Sequence, residues 1–154
     1  MTQVAMTRIR GVGYSISVPR DWRTSNIEPR TTVFVGPGSA GADATFAVVA
    51  QQATLPAGPW LRAITAKQLE LRAGFTILRD DAVSFDSGEA FARYATWHDE
   101  IRRITRFERL VAVVVAGTRW VMVAEQPDNP ARKLVDQVFR EMILSFRATA
   151  SGAG

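Results

Sequence analysis

The chain has 154 residues and a mass of 16.9 kDa, which predicts one domain with a hydrophobic core of its own. It contains no cysteine and one histidine, His98, which excludes disulfides and thiolate sites and argues against bound zinc. The net charge is +4, but acidic residues are interleaved with the arginine cluster at 102–109, a mixture that argues against nucleic-acid binding.

The apolar runs are too short to cross a membrane. The longest, Leu110–Ala116, has seven residues, whereas a spanning helix needs about 20. The first fifteen residues lack the apolar segment of a signal peptide. If Met1 is the native start, we expect a cytoplasmic protein without membrane insertion; a chain from which a leader had been removed would look the same.

The first part of the chain predicts strands and then a helix. Apolar residues alternate with serines over 13–18, the period of a half-buried strand. Two more short strands are predicted at 31–35 and 44–50. Pro59 favours the first turn of an amphipathic helix, and Gly74 favours its C-terminal end.

Further strands are predicted after this helix. Two short ones lie at 75–79 and 82–85, with Asp80-Asp81 as a turn or bulge between them. A long strand follows at 89–101.

The hairpin from about 104 to 125 is the clearest feature, with a turn at Ala116-Gly117-Thr118. A loop of two or four residues gives the same pairing parity, whereas a three-residue loop reverses the match for one strand. With either even loop, one face carries Phe107, Val111, Val113, Trp120 and Met122, and the other carries Leu110, Ala112, Val114, Val121 and Val123.

The closing helix begins near Pro130, where Asp128 or Asn129 can accept the free backbone amides. Its apolar stripe recurs at a period of 3.6 residues and ends near Phe146. We therefore predict a single domain at 1–147 and a disordered tail at 148–154.

Short turns between strands, together with two helices, predict an α+β fold: an antiparallel β-sheet with helices packed on it. Hairpin strands that are apolar on both faces must be covered on both faces. Either one helix covers each face, giving a three-layer sandwich, or both helices cover one face. In the second case a dimer mate, a ligand or a hydrophobic segment of a partner covers the other face.

The strand GYSISVP followed by Arg20-Asp21-Trp22 resembles the opening of the PsbP-like and DcrB-related superfamily, which includes a Ran-binding nuclear import factor. The ending Ile143-Leu144-Ser145-Phe146-Arg147 is similar to the Ser-Phe end of the closing helix in that family. The similarity covers about residues 8–147. It implies a PsbP-like α/β/α sandwich around an antiparallel sheet.

The same resemblance implies a binding protein rather than an enzyme. Family members include photosystem extrinsic subunits, mycobacterial lipoproteins and cytoplasmic chaperones of type VI secretion effectors. The chaperones are most similar to this chain in compartment and length; they dimerise and shield apolar segments of their effector.

Catalytic candidates lack the context that their chemistry needs. His98 could share a strand face with Glu100, Asp80-Asp81 is a carboxylate pair, and Ser39 lies in a glycine-rich loop. Strand-end and turn positions account for the first two, and Ser39 does not follow a strand and open a helix. We predict no catalytic residue, no cofactor and no metal.

Aromatic residues and arginines around the hairpin favour a protein-binding site, because an apolar centre with such a rim is typical of a protein interface. The predicted protein-binding residues are Trp97, Arg103, Phe107, Val111, Val113, Trp120 and Met122. The hypothesis is a non-enzymatic adaptor or chaperone. Its partner is a protein, such as an apolar segment of a secreted effector, or a second copy in a homodimer. The alternative is a small-molecule-binding domain or an enzyme with a pocket between sheet and helix.

Overall fold

A computed structural model describes residues 4–38, 43–85 and 88–149. The elements in these ranges are β1 (Met6–Gly11), β2 (Tyr14–Pro19), β3 (Arg23–Glu28), β4 (Thr31–Pro37), β5 (Asp43–Gln52), α1 (Ala57–Leu71), β6 (Thr76–Phe85), β7 (Gly88–Asp99), β8 (Ile104–Val115), β9 (Thr118–Pro127), α2 (Lys133–Ser145) and β10 (Arg147–Ala148).

The larger sheet has seven strands in the order β3-β4-β5-β9-β8-β7-β6, and every neighbouring pair is antiparallel. Helix α1 carries the chain from β5 to the far edge at β6, and the next three strands return until β9 lies against β5. The β8–β9 hairpin therefore occupies the centre of the sheet. This is where strands that are apolar on both faces belong.

A two-residue turn fixes the register of this hairpin. Val115 pairs with Thr118, and the turn residues Ala116 and Gly117 have φ values of 50° and 80°. Positive φ at both positions is the type I′ geometry that matches the twist of the flanking strands. The predicted division of the hairpin residues between two faces is confirmed, since Val111 lies opposite Met122 and Ala112 lies opposite Val121.

We call the face that carries Phe107, Val111 and Trp120 the inner face. It is covered by α2 and by a smaller three-stranded sheet, β1-β2-β10. The buried side chains that these covering elements contribute are Tyr14, Ile16, Val18, Phe139, Met142, Ile143 and Phe146. The largest part of the core therefore lies between the two sheets and α2.

The end of α2 is joined to β2 through Ser145 and Phe146. The Ser145 hydroxyl donates to the Met142 carbonyl at 2.7 Å and accepts from the Ser17 backbone N–H at 2.8 Å. Phe146 is buried and stacks on Tyr14, with ring centroids 5.8 Å apart. The Ser-Phe ending thus has a structural reason: the serine stops the helix against β2 and the phenylalanine enters the core.

The opposite face, the outer face, carries Leu110, Ala112 and Val121, and α1 packs on it through Ala57 and Leu61. One helix therefore lies on each side of the large sheet. This confirms the α/β/α sandwich and decides between the two arrangements that the sequence left open.

The predicted end of the first helix needs correction: α1 ends at Leu71 with Arg72 as its extended cap, and Gly74, with a φ of 63°, lies in the turn that follows. The predicted start of the closing helix is confirmed. The Asn129 side chain accepts the Ala131 N–H at 2.9 Å, and a 3-10 turn at Pro130–Arg132 leads into α2.

Several predictions about strands need correction. Strands β1, β3 and β10 were not predicted, because β1 and β3 are largely polar and β10 has two residues. Asp80 and Asp81 form no turn; β6 runs through them, and its irregularity lies between Ile77 and Arg79. Ala148, placed in a disordered tail by the sequence, pairs with Tyr14. The Thr149 backbone N–H donates to the Gly13 carbonyl at 2.8 Å. Residues 150–154 lie outside the described residues.

Candidate functional site

Half of the outer face is only partly covered. We call its apolar residues the open grid: Val33, Val35, Ala47, Val49 and Val123. Val33, Ala47 and Val123 form one row across β4, β5 and β9. All five side chains are partly exposed. Val49 and Val123 border the cluster beneath α1, which reaches Val121 on β9. Val33, Val35 and Ala47 belong to neither hydrophobic cluster of the described residues.

The open grid is small and flat. Its three strands, about 4.8 Å apart, and three rows, about 6.8 Å apart, span about 14 by 20 Å. Thr45 and Glu125 complete the row of Val35. At that end of the sheet Arg23 and Asp43 form an exposed ion pair at 3.7 Å. The grid is therefore an apolar patch with a polar border.

The covered half shows what closes such a surface. The first turn of α1 approaches β7 closely, because Gly58 has no side chain: a Cβ there would lie 3.1 Å from the Phe91 ring. At the same end of the helix, Trp60 stacks on the Arg119 guanidinium at 4.3 Å. Arg119 also donates two hydrogen bonds to the Gln51 side chain, at 3.0 and 2.7 Å. These contacts fix the edge of α1 beside the open grid.

A charged network lies beneath the second half of α1. Arg93 and Glu108 are each 1% exposed and form an ion pair. Arg93 also donates to Thr65 at 2.8 Å and Gln68 at 2.5 Å, both on α1. Arg72, at the end of the helix, contacts Glu108 at 2.7 Å. Charges buried this deeply are tolerated because each one is paired and hydrogen-bonded.

Two carboxylates face each other in this network, since Glu108 pairs with Glu125 across β8 and β9. Burial raises the pKa of Glu125 to about 7, and the Glu108 charge adds to this, while Arg72 and Arg106 oppose it. Burial also acts to raise the pKa of Glu108. The Arg93 charge and hydrogen bonds from Glu125 and Arg72 outweigh burial there, and the pKa of Glu108 is lowered. One carboxylate therefore stays ionised while the other titrates near neutral pH.

The predicted interface residues do not form one open surface. Phe107, Val111, Val113, Trp120 and Met122 all lie on the inner face and are at most 6% exposed. The parity that groups them is the predicted one, but α2 and β2 cover that face. This corrects the expectation of an exposed patch at these five positions.

The other two predicted residues lie apart from these five. Trp97 is on the outer face beside the charged network, where Arg72 stacks on its ring at 4.6 Å. Its indole N–H is buried without a partner among the described residues. Arg103 is exposed in the turn between β7 and β8, with a φ of 56°.

The catalytic candidates are dispersed. His98 is exposed at the end of β7, and the Asp99 carboxylate beside it accepts the backbone N–H groups of Ile101 and Arg102 at 3.1 Å. Ser39 lies outside the described residues. A cavity of about 420 Å³ lies between α1 and strands β6 and β7. Its lining includes Arg62 and Asp80 but not His98.

The sequence analysis missed Arg93 and Glu108. Both sit on outer-face positions of strands with apolar neighbours: Phe91 and Ala95 flank Arg93, and Leu110 follows Glu108 at i+2. A single charge within an apolar alternation was the available signal. Glu108 was interpreted as part of the mixed-charge cluster at 102–109, and Arg93 was given no role.

Among the residues that the structure describes, no helix is long and apolar enough to span a bilayer. Within the same ranges, no three His, Asp or Glu side chains stand close enough together to hold a metal ion.

A three-layer sandwich of this topology is the PsbP-like fold, and solved structures of that fold match the chain closely in shape. The Ran-binding protein Mog1p of Saccharomyces cerevisiae matches with a TM-score of 0.71 and 12% identity, covering 97% of this chain and 98% of that one. The cyanobacterial PsbP of Synechocystis sp. PCC 6803 matches with a TM-score of 0.69 and 12% identity, covering 96% and 94%.

LpqN of Mycobacterium tuberculosis, involved in cell envelope biogenesis, matches with a TM-score of 0.65 and 16% identity, covering 97% of this chain and 93% of that one. No protein-family model and no curated protein matches the sequence. At these identities the likeness shows the fold. The fold that the resemblance implied is thereby confirmed.

Proposed function

We propose that this chain is a non-enzymatic protein-binding adaptor or chaperone, and that its open grid receives one amphipathic helix of a partner protein. The observation that carries the proposal is the partly covered half of the outer face. Val33, Val35 and Ala47 belong to neither hydrophobic cluster of the described residues, although they lie on central or near-central strands. Apolar sheet surface of this kind is stabilised when it is covered.

The size of the open grid favours a single helix over a whole domain. Its area is roughly 300 Å², whereas a stable interface buries about 800 Å² on each partner. Helix α1 already lies on the neighbouring strands of the same face. A second helix beside it, at the usual spacing of 8–10 Å, would cover the three strands of the grid and complete the layer.

The comparisons support protein binding in general terms. Mog1p has the same fold and is a Ran-binding protein, so this sandwich can present a surface to another protein. The resemblance to effector chaperones adds a finer proposal: the helix belongs to a secreted effector whose apolar segment must be shielded before delivery. A second copy of this chain is the competing occupant.

A defined probe tests the proposal. A synthetic amphipathic helix with leucines on one face and lysines on the other should bind the wild-type chain, and a scrambled peptide without an apolar face should not. Ala47→Glu places a charge in the middle row of the grid and should weaken binding at least tenfold. Leu134→Glu, a change at an exposed position of α2, is the matched control and should leave binding unchanged.

Two results would overturn the proposal. One is equal affinity of the peptide for the wild-type chain and for Ala47→Glu. The other is a stable wild-type dimer in sedimentation that Ala47→Glu dissociates, because the grid would then be occupied by a second copy.

A further inference from the structure

A second cavity lies on the other side of the sheet from the open grid. It has a volume of about 820 Å³ and lies between the smaller sheet and strands β4, β5 and β9. This is nearly twice the size of the cavity beside α1, and within the range of small-molecule sites. The cavity lies between two sheets, not between sheet and helix.

Its walls are mainly apolar. Tyr14 and Trp120 form one wall, with ring centroids 5.4 Å apart in an edge-to-face contact. Ile9, Ala50 and Val115 add aliphatic surface to the lining. All of these residues belong to the inner-face core or pack against it, so the cavity is formed by fixed elements of the sandwich.

At the β1–β2 turn, the backbone of Gly11 and Gly13 lies close to the two aromatic rings and forms one end of the cavity. Gly13 has a φ of 80°, and a Cβ there would lie 3.3 Å from the Trp120 ring. A Cβ on Gly11 would lie 2.2 Å from the Tyr14 ring. Any side chain at Gly11 would displace the Tyr14 ring. The two glycines therefore leave the space that the Tyr14 and Trp120 rings occupy.

Tyr14 contributes a buried hydroxyl to the wall and is 4% exposed. This hydroxyl makes no hydrogen bond of normal geometry with the part of the chain that the structure describes, although the Thr32 side chain lies close enough to act on its oxygen as a hydrogen-bond donor. Burial raises the pKa of Tyr14, with a smaller opposite effect from Thr32. The phenol is therefore protonated and available as a donor. A buried donor left unsatisfied costs free energy that a ligand oxygen can recover.

The charged residues around the cavity favour an anion. Arg10 and Arg30 line it from the two different sheets, and Glu28 is the acidic residue in its lining. All three are exposed. Arg30 lies in the turn just before β4, two positions before Thr32, whose side chain acts on the Tyr14 hydroxyl. A positive excess thus lies at the same end as the free phenol.

We infer that the cavity between the two sheets binds an apolar carboxylic acid as its carboxylate, with the acyl or ring body against Trp120 and the carboxylate held by the Tyr14 hydroxyl and Arg30. The aromatic and aliphatic walls accept the apolar part of the ligand. The Tyr14 hydroxyl and the Arg30 guanidinium select its carboxylate. This site shares no residue with the open grid.

Decanoate is the probe, and the indole N–H signals of the four tryptophans in NMR spectra are the readout. Decanoate should shift the Trp120 signal, while Trp22, Trp60 and Trp97 serve as internal controls. Decanol and decyltrimethylammonium, which lack the carboxylate, should bind at least tenfold more weakly. Equal or tighter binding of either would overturn the assignment of the head group.

Matched variants locate the site. Ala50→Phe fills the cavity and should abolish the shift, whereas Ala47→Phe, on the opposite face of the same strand, should keep it. Tyr14→Phe should weaken binding about five- to tenfold, the worth of one hydrogen bond. Arg30→Gln should weaken it as well, and Arg20→Gln should not.

Unchanged decanoate affinity in both Ala50→Phe and Tyr14→Phe would overturn the inference, as would a wild-type chain that shows no shift. Tyr14→Phe keeps the test decisive if Ala50→Phe fails to fold.

Discussion

The two halves of the outer face are built from the same sheet but differ in what covers them. Over β7 and β8, α1 buries Leu110 and closes over the Arg93–Glu108 pair. Over β4, β5 and β9, valines and an alanine stay partly exposed. Hydrophobic content therefore does not distinguish core from interface in this chain. The path of the crossover helix α1 decides which apolar residues are buried.

The largest effect is expected in the covered half. Arg93→Leu removes the guanidinium that pairs with Glu108. The buried Glu108 carboxylate then has Arg72 as its remaining close cation. Breaking a buried pair in this way costs about 3–5 kcal/mol of unfolding free energy, measurable by urea denaturation. Arg93→Leu combined with Glu108→Leu should recover part of the loss. A loss below about 1 kcal/mol for Arg93→Leu would show that α1 does not seal this half.

Equivalent truncations in the two halves test the comparison directly. Leu110→Ala leaves a cavity under α1 and should cost about 2–5 kcal/mol. Val33→Ala removes partly exposed methyl groups from the open grid and should cost about 1 kcal/mol or less. Thermal and urea unfolding of the two variants provide the measurement. Equal losses would mean that the open grid is as well packed as the covered half.

The smallest effect concerns Glu125, which borders both halves. Its folded-state pKa of about 7 lies above the ordinary value of 4.5, so the folded chain holds an extra proton between these pH values. Stability should therefore fall as the pH rises through this window, by at most about 3 kcal/mol. Glu125→Gln mimics the protonated form, so the urea midpoint of this variant should change little between pH 4.5 and 7. Glu141→Gln, at an exposed position, should keep the wild-type slope.

The sequence could predict the features that depend on residues close together in the chain, and not those that depend on residues far apart in it. The division of the hairpin between two faces depends on alternation and on the Ala116-Gly117 turn, both of which are local. Which face is buried depends on β9 pairing with β5, more than 60 residues earlier in the chain. The five hairpin residues of the predicted interface were therefore grouped correctly, but the face that they share is covered.

The same reasoning explains the missed network. Arg93 pairs in register with Leu110, and Glu108 with Ala95, so the two charges meet diagonally across β7 and β8. Their other partners, Thr65 and Gln68, come from α1. No local pattern brings these residues together. Mixed charges near a strand end look like solvent-exposed surface until the helix above them is placed.

The contact between β2 and the end of α2 has a consequence for how the chain is made. The Ser17 backbone N–H donates to the Ser145 hydroxyl at 2.8 Å, and Arg8 donates to the Ser145 carbonyl at 2.6 Å, across 128 and 137 positions of sequence. During synthesis β1 and β2 leave the ribosome long before α2 and β10, yet the layer to which they belong closes only when those later elements have emerged. Until then Ile16 and Val18 have no α2 to pack against. Between the emergence of β2 and that of α2, the nascent chain therefore carries an open apolar surface.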